Sequence, residues 1–248
     1  ALTLGSALVS FAATGWAEEN GEWVYYNNDG SKAADVFKKS GNNWFYLDSD
    51  GIMAKSRLIE DDDNYFYVNS AGAMVTNQWR SIENEDAGSD EPDEWWYYFQ
   101  SNGKAVKKSG SSDNVKFVTL PTSTGQAKFT FDDEGHMLYG WIDESGEMLT
   151  DDDAWKSGMY YCSDNGDGRM ATGWKYITAV NDEDDDRDGD GYWFYFSTNG
   201  KKTADTDSKK INGRKYRFDE NGAAHFEWYN NPGTASSSTV NKYYNTEE

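Results

Sequence analysis

The sequence predicts an all-β fold, a β-solenoid of stacked β-hairpin repeats, on three observations. A short, mostly aromatic cluster followed by a turn that ends in glycine recurs eight times along the 248 residues. The first residue of each cluster lies seven positions before its glycine. Aromatic residues make up 16% of a chain that is only 37% hydrophobic, so aromatic rings must supply most of the buried surface. The clusters span residues 23–26, 44–47, 65–68, 96–99, 128–131, 159–162, 193–196 and 215–218. The turns that follow them end at Gly30, Gly51, Gly72, Gly103, Gly135, Gly166, Gly200 and Gly222.

Each cluster predicts a short strand, and the Asp/Asn-rich turn after it predicts a glycine with positive φ. Side chains alternate along a strand, so cluster positions two and four share one face, which is apolar in nearly every repeat and predicts the core. Positions one and three vary between repeats, from Trp23 and Tyr25 to Lys128 and Thr130, which predicts a surface that individual repeats have specialised. A lone hairpin is marginal in water, so we expect residues 18–248 to stack as one repeat domain of about eight hairpin units.

Residues 1–13 form the longest apolar run and allow two interpretations. They resemble the hydrophobic part of a signal peptide, with a cleavage point near Trp16 and Ala17, so that 1–17 would be a signal-peptide remnant. Alternatively they lead into a first strand, because the letters Ala-Thr-Gly-Trp at 13–16 recur at 171–174. Either interpretation predicts an exported protein, and a run of about 13 residues is too short to span a bilayer.

Charge and cysteine content limit the possible partners. A formal net charge of −21 disfavours nucleic acid and anionic lipid, and leaves cationic or neutral partners such as choline, an amine-bearing wall polymer or a glucan. One cysteine, Cys162, excludes an internal disulfide, which fits a secreted protein of a Gram-positive bacterium.

Catalytic and cofactor motifs are scarce. The carboxylates lie in polar loops where nothing would raise a pKa for general-acid work, so we expect no enzyme activity and no cofactor. Lengthened acidic loops are predicted at 83–94, 143–153 and 182–190. In the last of these, Asp186, Asp188 and Asp190 are candidate calcium ligands, against the alternative of a solvated acidic loop.

The Gly-Trp pair, the aromatic cluster, and the turn glycine with a following methionine resemble the choline-binding repeat of Gram-positive cell-wall proteins. The pattern is also similar to the glucan-binding repeats of glucan-synthesising enzymes and to the C-terminal repeats of clostridial toxins. Residues 13–23 and 170–193 match the choline-binding type best, whereas 211–222 lean toward the glucan and toxin type.

The resemblance implies that ligand lies between consecutive hairpins, where the Gly-Trp tryptophan and the first cluster tryptophan meet a tyrosine of the next hairpin. Stacked rings would hold a quaternary ammonium by cation–π attraction. Trp16, Trp23 and Tyr46 then form the most complete cage. The other predicted ligand-binding residues are Trp44 with Tyr67, Trp79 with Trp96, Trp141 with Met159 and Tyr195, and Trp174 with Trp193. Thr130 and Arg217 would be the third walls beside Trp96 and Trp193, leaving those cages incomplete.

The sequence therefore predicts a non-catalytic cell-wall-binding or carbohydrate-binding module of a secreted bacterial surface protein. Its predicted partner is choline-decorated teichoic acid, and its predicted location is the cell wall or surface of a Gram-positive bacterium. Two alternatives stay open: a glucan-binding module, and a surface adhesin or scaffold whose acidic loops contact a protein or calcium.

Overall fold

A computed structural model describes residues 14–85, 87–88, 91–108, 114–178, 191–229 and 242–245, with the side chains of 225–229 and 242–245 excepted. The chain divides into two compact units, unit 1 with Ala1–Ile82 and Tyr97–Val106, and unit 2 with Glu83–Trp96 and Lys107–Glu248. In the described residues each unit is built almost entirely of antiparallel hairpins stacked in sequence order, which confirms the predicted fold class. The prediction that 18–248 form a single repeat domain stays a prediction.

Three complete hairpins belong to unit 1, and a fourth hairpin carries the boundary between the units. The three pairs are β1 (Gly15–Glu19) with β2 (Glu22–Tyr26), β3 (Val36–Ser40) with β4 (Asn43–Leu47), and β5 (Arg57–Asp61) with β6 (Asn64–Val68). The fourth pairs β7 (Gln78–Glu83) with β8 (Glu94–Phe99). Gly15, Trp16 and Ala17 thus lie in β1, opposite the aromatic cluster of β2.

Unit 2 continues the pattern with insertions. Its strands are β9 (Val118–Thr122), β10 (Gly125–Phe129), β11 (Gly140–Ile142), β12 (Met148–Leu149), β13 (Tyr160–Cys162), β14 (Gly173–Ile177), β15 (Tyr192–Phe196), β16 (Thr206–Ile211), β17 (Arg214–Phe218), β18 (Ala224–Tyr229) and β19 (Lys242–Asn245). β9 pairs with β10, β14 with β15, β11 with both β12 and β13, and β16 to β19 form one four-stranded sheet. A single helical turn, α1 (Ala154–Ser157), lies between β12 and β13.

Where two paired strands are joined by a tight turn, that turn precedes the aromatic cluster. At Asn20-Gly21 both turn residues have positive φ, 54° and 86°, as a type I′ turn requires, and the same holds for Asn212-Gly213 at 49° and 84°. The predicted turn glycines after the clusters also have positive φ, but in the sixth repeat Gly168 (φ 60°) replaces the predicted Gly166. That turn is two residues longer than the others. Its positive-φ glycine therefore lies nine positions after the first cluster residue instead of seven.

A backbone hydrogen bond of one kind recurs between successive hairpins. The residue two positions after a turn glycine donates its N–H to the carbonyl of the first cluster residue in the preceding hairpin. In unit 1 Met53 N donates to Trp23 O at 2.8 Å, and in unit 2 Lys202 N donates to Met159 O at 2.8 Å. This bond occurs six times in the described residues, at 2.7–2.9 Å, so these junctions place equivalent residues in equivalent positions.

The core follows the predicted alternation at cluster positions two and four, where Leu47, Phe99 and Phe194 are 0% exposed. Position three is more buried than the surface role predicted for it, since Tyr46 is 8% exposed and Thr130 is 2% exposed. The reason is that hairpins stack face to back. The odd-numbered face of one hairpin is covered by the even-numbered face of the next, instead of all even faces sharing one interior.

The lengthened segments differ from one another. In the segment 83–94, Glu83 ends β7, Glu94 begins β8, and Asn84 N donates a hydrogen bond to Asp93 O at 2.8 Å. Residues 143–153 are not a simple loop, because they contain β12 and lead into α1. The segment 182–190 lies outside the described residues. Among the described helices, none is long and apolar enough to cross a membrane.

Candidate functional site

The first hairpin places two indoles on one face. In the β1–β2 register Trp16 lies opposite Tyr25, and Trp23 is opposite Glu18, two residues along β1 from Trp16. Residues two apart on a strand share a face, so Trp16, Trp23 and Tyr25 point to the same side. The rings of Trp16 and Tyr25 meet edge to face, with centroids 5.4 Å apart. Trp23 remains 41% exposed, so one indole is accessible to a ligand.

A pocket of about 380 Å³ opens on this face, within unit 1. Hairpin 1 contributes the two indoles, and the β3–β4 hairpin contributes Phe45 and Ser40. Met53 and Ala71 come from the turns that follow β4 and β6. The lining residues are Trp16, Trp23, Ser40, Phe45, Met53 and Ala71. We call this group the first cage; it is an apolar cleft with aromatic, thioether and methyl walls and one hydroxyl.

The third aromatic wall of the first cage is Phe45 instead of the predicted Tyr46. The Phe45 ring lies 5.4 Å from Trp16, whereas Tyr46 packs on Phe37 at 4.9 Å and is buried. Face-to-back stacking explains the correction, because it turns cluster position two of the next hairpin toward the tryptophans and position three away. Burial and, next, the charge of Asp35 raise the pKa of Tyr46.

The same ring contact recurs at other junctions that lie within one unit. Phe37 meets Phe66 at 4.9 Å, Trp141 meets Phe194 at 5.0 Å, and Trp174 meets Tyr216 at 4.8 Å. Each pair joins the odd face of one hairpin to position two of the next. The first cage is therefore one instance of a repeated junction, and the junctions differ in their residues.

A second cage lies in unit 2 between the β14–β15 and β16–β17 hairpins. Trp174 and Trp193 are in adjacent strands with ring centroids 6.5 Å apart, and Trp193 is 41% exposed. Tyr216 supplies the third aromatic wall. The predicted third wall, Arg217, instead lies on the opposite face and pairs with Asp207 at 2.9 Å. This cage, which was predicted to be incomplete, thus has three aromatic residues. We call the group of Trp174, Trp193 and Tyr216 the second cage.

The remaining predicted pairs are arranged differently. Trp44 is 41% exposed but has Phe37, not an indole, on its face of the hairpin. Tyr67 points away from that junction and packs on Phe99, with centroids 6.2 Å apart. Trp79 lies in unit 1 and contacts Tyr98 at 5.2 Å. Trp96 lies in unit 2, where its carbonyl accepts a hydrogen bond from Met137 N at 2.7 Å.

The predicted group of Trp141, Met159 and Tyr195 is only partly brought together. Trp141 is 7% exposed and packs on Phe194, while Tyr195 packs on Trp174 at 5.3 Å. The Nζ atom of Lys202 lies 5.1 Å from the centroid of the Trp141 ring. Burial lowers the pKa of Lys202 to about 8, and the charge of Asp219 opposes that shift.

Sequence reasoning missed several residues of these junctions, of which five bear on function. They are Phe45, Met53, Tyr216, Trp155 and Lys202. For four of them a signal existed in the repeat alignment, because Phe45 and Tyr216 occupy position two and Met53 and Lys202 occupy the second position after the turn glycine. Trp155 lies in the inserted segment and had no counterpart in other repeats.

The predicted calcium ligands Asp186, Asp188 and Asp190 lie outside the described residues. In the part of the chain that is described, no group of three or more His, Cys, Asp or Glu side chains is placed to hold a metal ion. The calcium hypothesis therefore stays a prediction.

Two family models match parts of the chain. A model described as "Choline-binding repeat" matches residues 13–48 and 37–79, and a model of cell wall binding repeats matches residues 96–105 and 209–224. Over the matched residues the chain is therefore similar to choline-binding and cell wall binding repeats, the class that the sequence pattern indicated. No curated protein sequence matches the chain.

Solved structures from Streptococcus pneumoniae share the fold. The choline-binding domain of CbpL matches with a TM-score of 0.53 and 21% identity, over 95% of this chain and 100% of that domain. The modular autolysin LytC, solved with a synthetic peptidoglycan ligand, has a TM-score of 0.54 and 18% identity over 87% of this chain and 39% of its own. Choline binding protein F, solved with a peptidoglycan analogue, has a TM-score of 0.52 and 21% identity over 86% of this chain and 57% of its own. The chain thus spans well under two thirds of the latter two proteins.

Proposed function

We propose that this chain is a non-catalytic module that holds a secreted bacterial protein on a Gram-positive cell surface by binding the choline groups of teichoic acid. The first cage carries the proposal: a cleft of about 380 Å³ walled by Trp16, Trp23, Phe45 and Met53. The second cage, with Trp174, Trp193 and Tyr216, is proposed as another site of the same kind.

The chemistry of the first cage favours a quaternary ammonium over a sugar. A trimethylammonium group has no N–H to donate, so it loses little when rings replace its hydration shell, and each ring contact contributes about 0.5–2 kcal/mol. A glucan presents hydroxyl groups that need polar partners when they leave water. Besides the two indole N–H groups, Ser40 carries the only strongly hydrogen-bonding group in the lining. The net charge of −21 also attracts a cation.

The comparisons support a cell-surface setting. CbpL supplies a choline-binding domain of the same fold, and the LytC and choline binding protein F structures were solved with peptidoglycan ligands. The match with LytC covers 39% of that autolysin. In our proposal this shared part binds the cell surface and does not include the catalytic part, so we assign this chain binding alone.

Three ligands of different chemistry test the proposal by tryptophan fluorescence and calorimetry. Choline chloride is expected to bind. Its neutral isostere 3,3-dimethylbutan-1-ol has the same shape without the charge, and should bind at least about tenfold more weakly if cation–π attraction dominates. Binding of dextran without binding of choline would overturn the proposal in favour of the glucan alternative.

Trp23→Ala is expected to weaken choline binding at the first cage by about 2- to 30-fold, because one of the ring contacts is lost. Trp44→Ala is the matched control: it holds the same cluster position, is also 41% exposed, and has Phe37 instead of a second indole beside it. Equal losses in both variants would contradict the assignment of the site to the first cage.

Tyr216→Ala and Arg217→Ala test the wall of the second cage with two adjacent residues. Tyr216→Ala is expected to lower choline affinity at that cage by about 2- to 30-fold, measured from the Trp174 indole signal in NMR titrations. Arg217→Ala should leave that affinity within about twofold, since its side chain faces Asp207 and solvent. The reverse result would restore position three as the ligand wall.

A further inference from the structure

The junction between the β11–β13 sheet and the β14–β15 hairpin carries a lysine where the first cage carries a methionine. Lys202 and Met53 both lie two residues after a turn glycine, and each donates its backbone N–H to the first cluster residue of the preceding hairpin. Trp141 and Phe194 meet at 5.0 Å there, as Trp16 and Phe45 meet at 5.4 Å in the first cage. The two junctions therefore share this backbone bond and this ring contact. They differ in this side chain, in the inserted segment, and at the first cluster position, where Met159 replaces Trp23.

The Lys202 ammonium lies between aromatic rings and carbonyl oxygens. Its Nζ atom is 5.1 Å from the Trp141 ring centroid and 5.9 Å from the Phe194 centroid. It donates hydrogen bonds to the backbone carbonyls of Trp155 at 2.6 Å and of Lys156 at 3.1 Å. Both distances to the rings are within cation–π range, and both carbonyls belong to α1.

The insertion between β11 and β13 builds this environment. Helix α1 brings two carbonyl oxygens to the ammonium, and the Trp155 ring stacks on Tyr192 with centroids 4.8 Å apart. The aliphatic stem of Lys202 is held by the following turn, since a Cβ placed on Gly222 would lie 2.9 Å from its Cδ atom. The side chain is fixed at both its stem and its charged end.

We propose that Lys202 is an internal ligand: its ammonium fills the Trp141–Phe194 cage and closes that junction to external trimethylammonium groups. The proposal rests on the proposed function for the identity of the external ligand. It names a specificity-determining position, the second residue after the turn glycine. Methionine there leaves a cage open to choline, and lysine there closes it.

Lys202→Met tests the proposal by giving this junction the residue of the first cage. The 11 tryptophans of the chain give one indole N–H signal each, and Trp141→Phe identifies the Trp141 signal. We expect choline chloride or tetramethylammonium chloride to shift the Trp141 signal in Lys202→Met at a concentration at least about tenfold lower than in the wild type. Lys202→Arg, which keeps the charge, is expected to keep the junction closed.

The outcomes separate this proposal from the proposed function. If the wild type shifts the Trp16 and Trp23 signals but Lys202→Met adds no shift at Trp141, the internal-ligand proposal fails alone. If only Lys202→Met binds choline, the internal ligand is supported and the proposed function fails. A measurement on the wild type without choline tests the proposal even if the variant does not fold. The rings should shift the NMR signals of the Lys202 Hε protons upfield. Random-coil chemical shifts would overturn the proposal.

Discussion

Replacing Phe194 by alanine is expected to lower the free energy of unfolding of unit 2 by about 3–5 kcal/mol, the largest effect of any single change considered. Phe194 is 0% exposed and its ring contacts Trp141 at 5.0 Å and Trp155 at 6.1 Å. Truncation leaves a cavity that these fixed rings cannot fill, because each is held by further ring contacts. Lys202 would also lose one of its two aromatic neighbours.

Trp193→Ala is the matched control for this prediction, since Trp193 precedes Phe194 in β15 and points to the other face. It is 41% exposed, so its truncation should cost less than about 1.5 kcal/mol although the side chain is larger. Urea unfolding of both variants, followed by a signal from unit 2, measures the two losses. Equal losses would contradict the face assignment of the cluster residues.

Much of the fold could be predicted because its determinants are local. Strand alternation depends on adjacent residues, so Leu47 and Phe99 were placed in the core from position alone. The turn glycines were identified because only certain residues accept positive φ, and most of them, such as Gly51 at 74°, adopt it. Repetition then implied that identical hairpins stack, since one hairpin cannot bury its own rings.

The walls of the cages could not be predicted from alternation, because they depend on how one hairpin lies on the next. The turn after β4 directs Met53 to the carbonyl of Trp23, and that bond brings Phe45 instead of Tyr46 over the indoles. Alternation places those two residues on opposite faces but does not say which face meets the neighbour. The same kind of stacking places Tyr216, instead of the predicted Arg217, in the second cage.

The closed junction could not be predicted from the sequence, for a different reason. Lys202 stands at the repeat position where four other units have methionine and the first unit has Lys32. The consequence of Lys202 depends on α1, whose two carbonyl oxygens approach from an insertion that no other repeat has. Repeat comparison cannot place a segment that is not repeated, so Trp155 and its carbonyl appear only in three dimensions.

Raising the pH from 7 to 10.5 is expected to increase the contribution of Lys202 to stability by up to about 3 kcal/mol, about 1 kcal/mol of it by pH 9. Burial lowers the pKa of Lys202 from 10.5 to about 8 in the folded chain. Between these two values the unfolded chain binds more protons than the folded chain, so the free energy of unfolding rises with pH. Below pH 8 both states are protonated, and the cost of the buried charge is present in full.

Other groups act in the opposite direction at higher pH, so the measurement must isolate Lys202. Burial raises the pKa of Cys162 from 9.0 to about 12, which makes the unfolded chain lose its proton first and lowers stability above about pH 9. Burial likewise raises the pKa of Tyr161. These contributions are common to the wild type and Lys202→Met, so they cancel in the difference of their unfolding free energies at each pH. A difference that does not change between pH 7 and pH 9 would show that the ammonium is not buried in the cage, because an exposed lysine titrates at the same pH in both states.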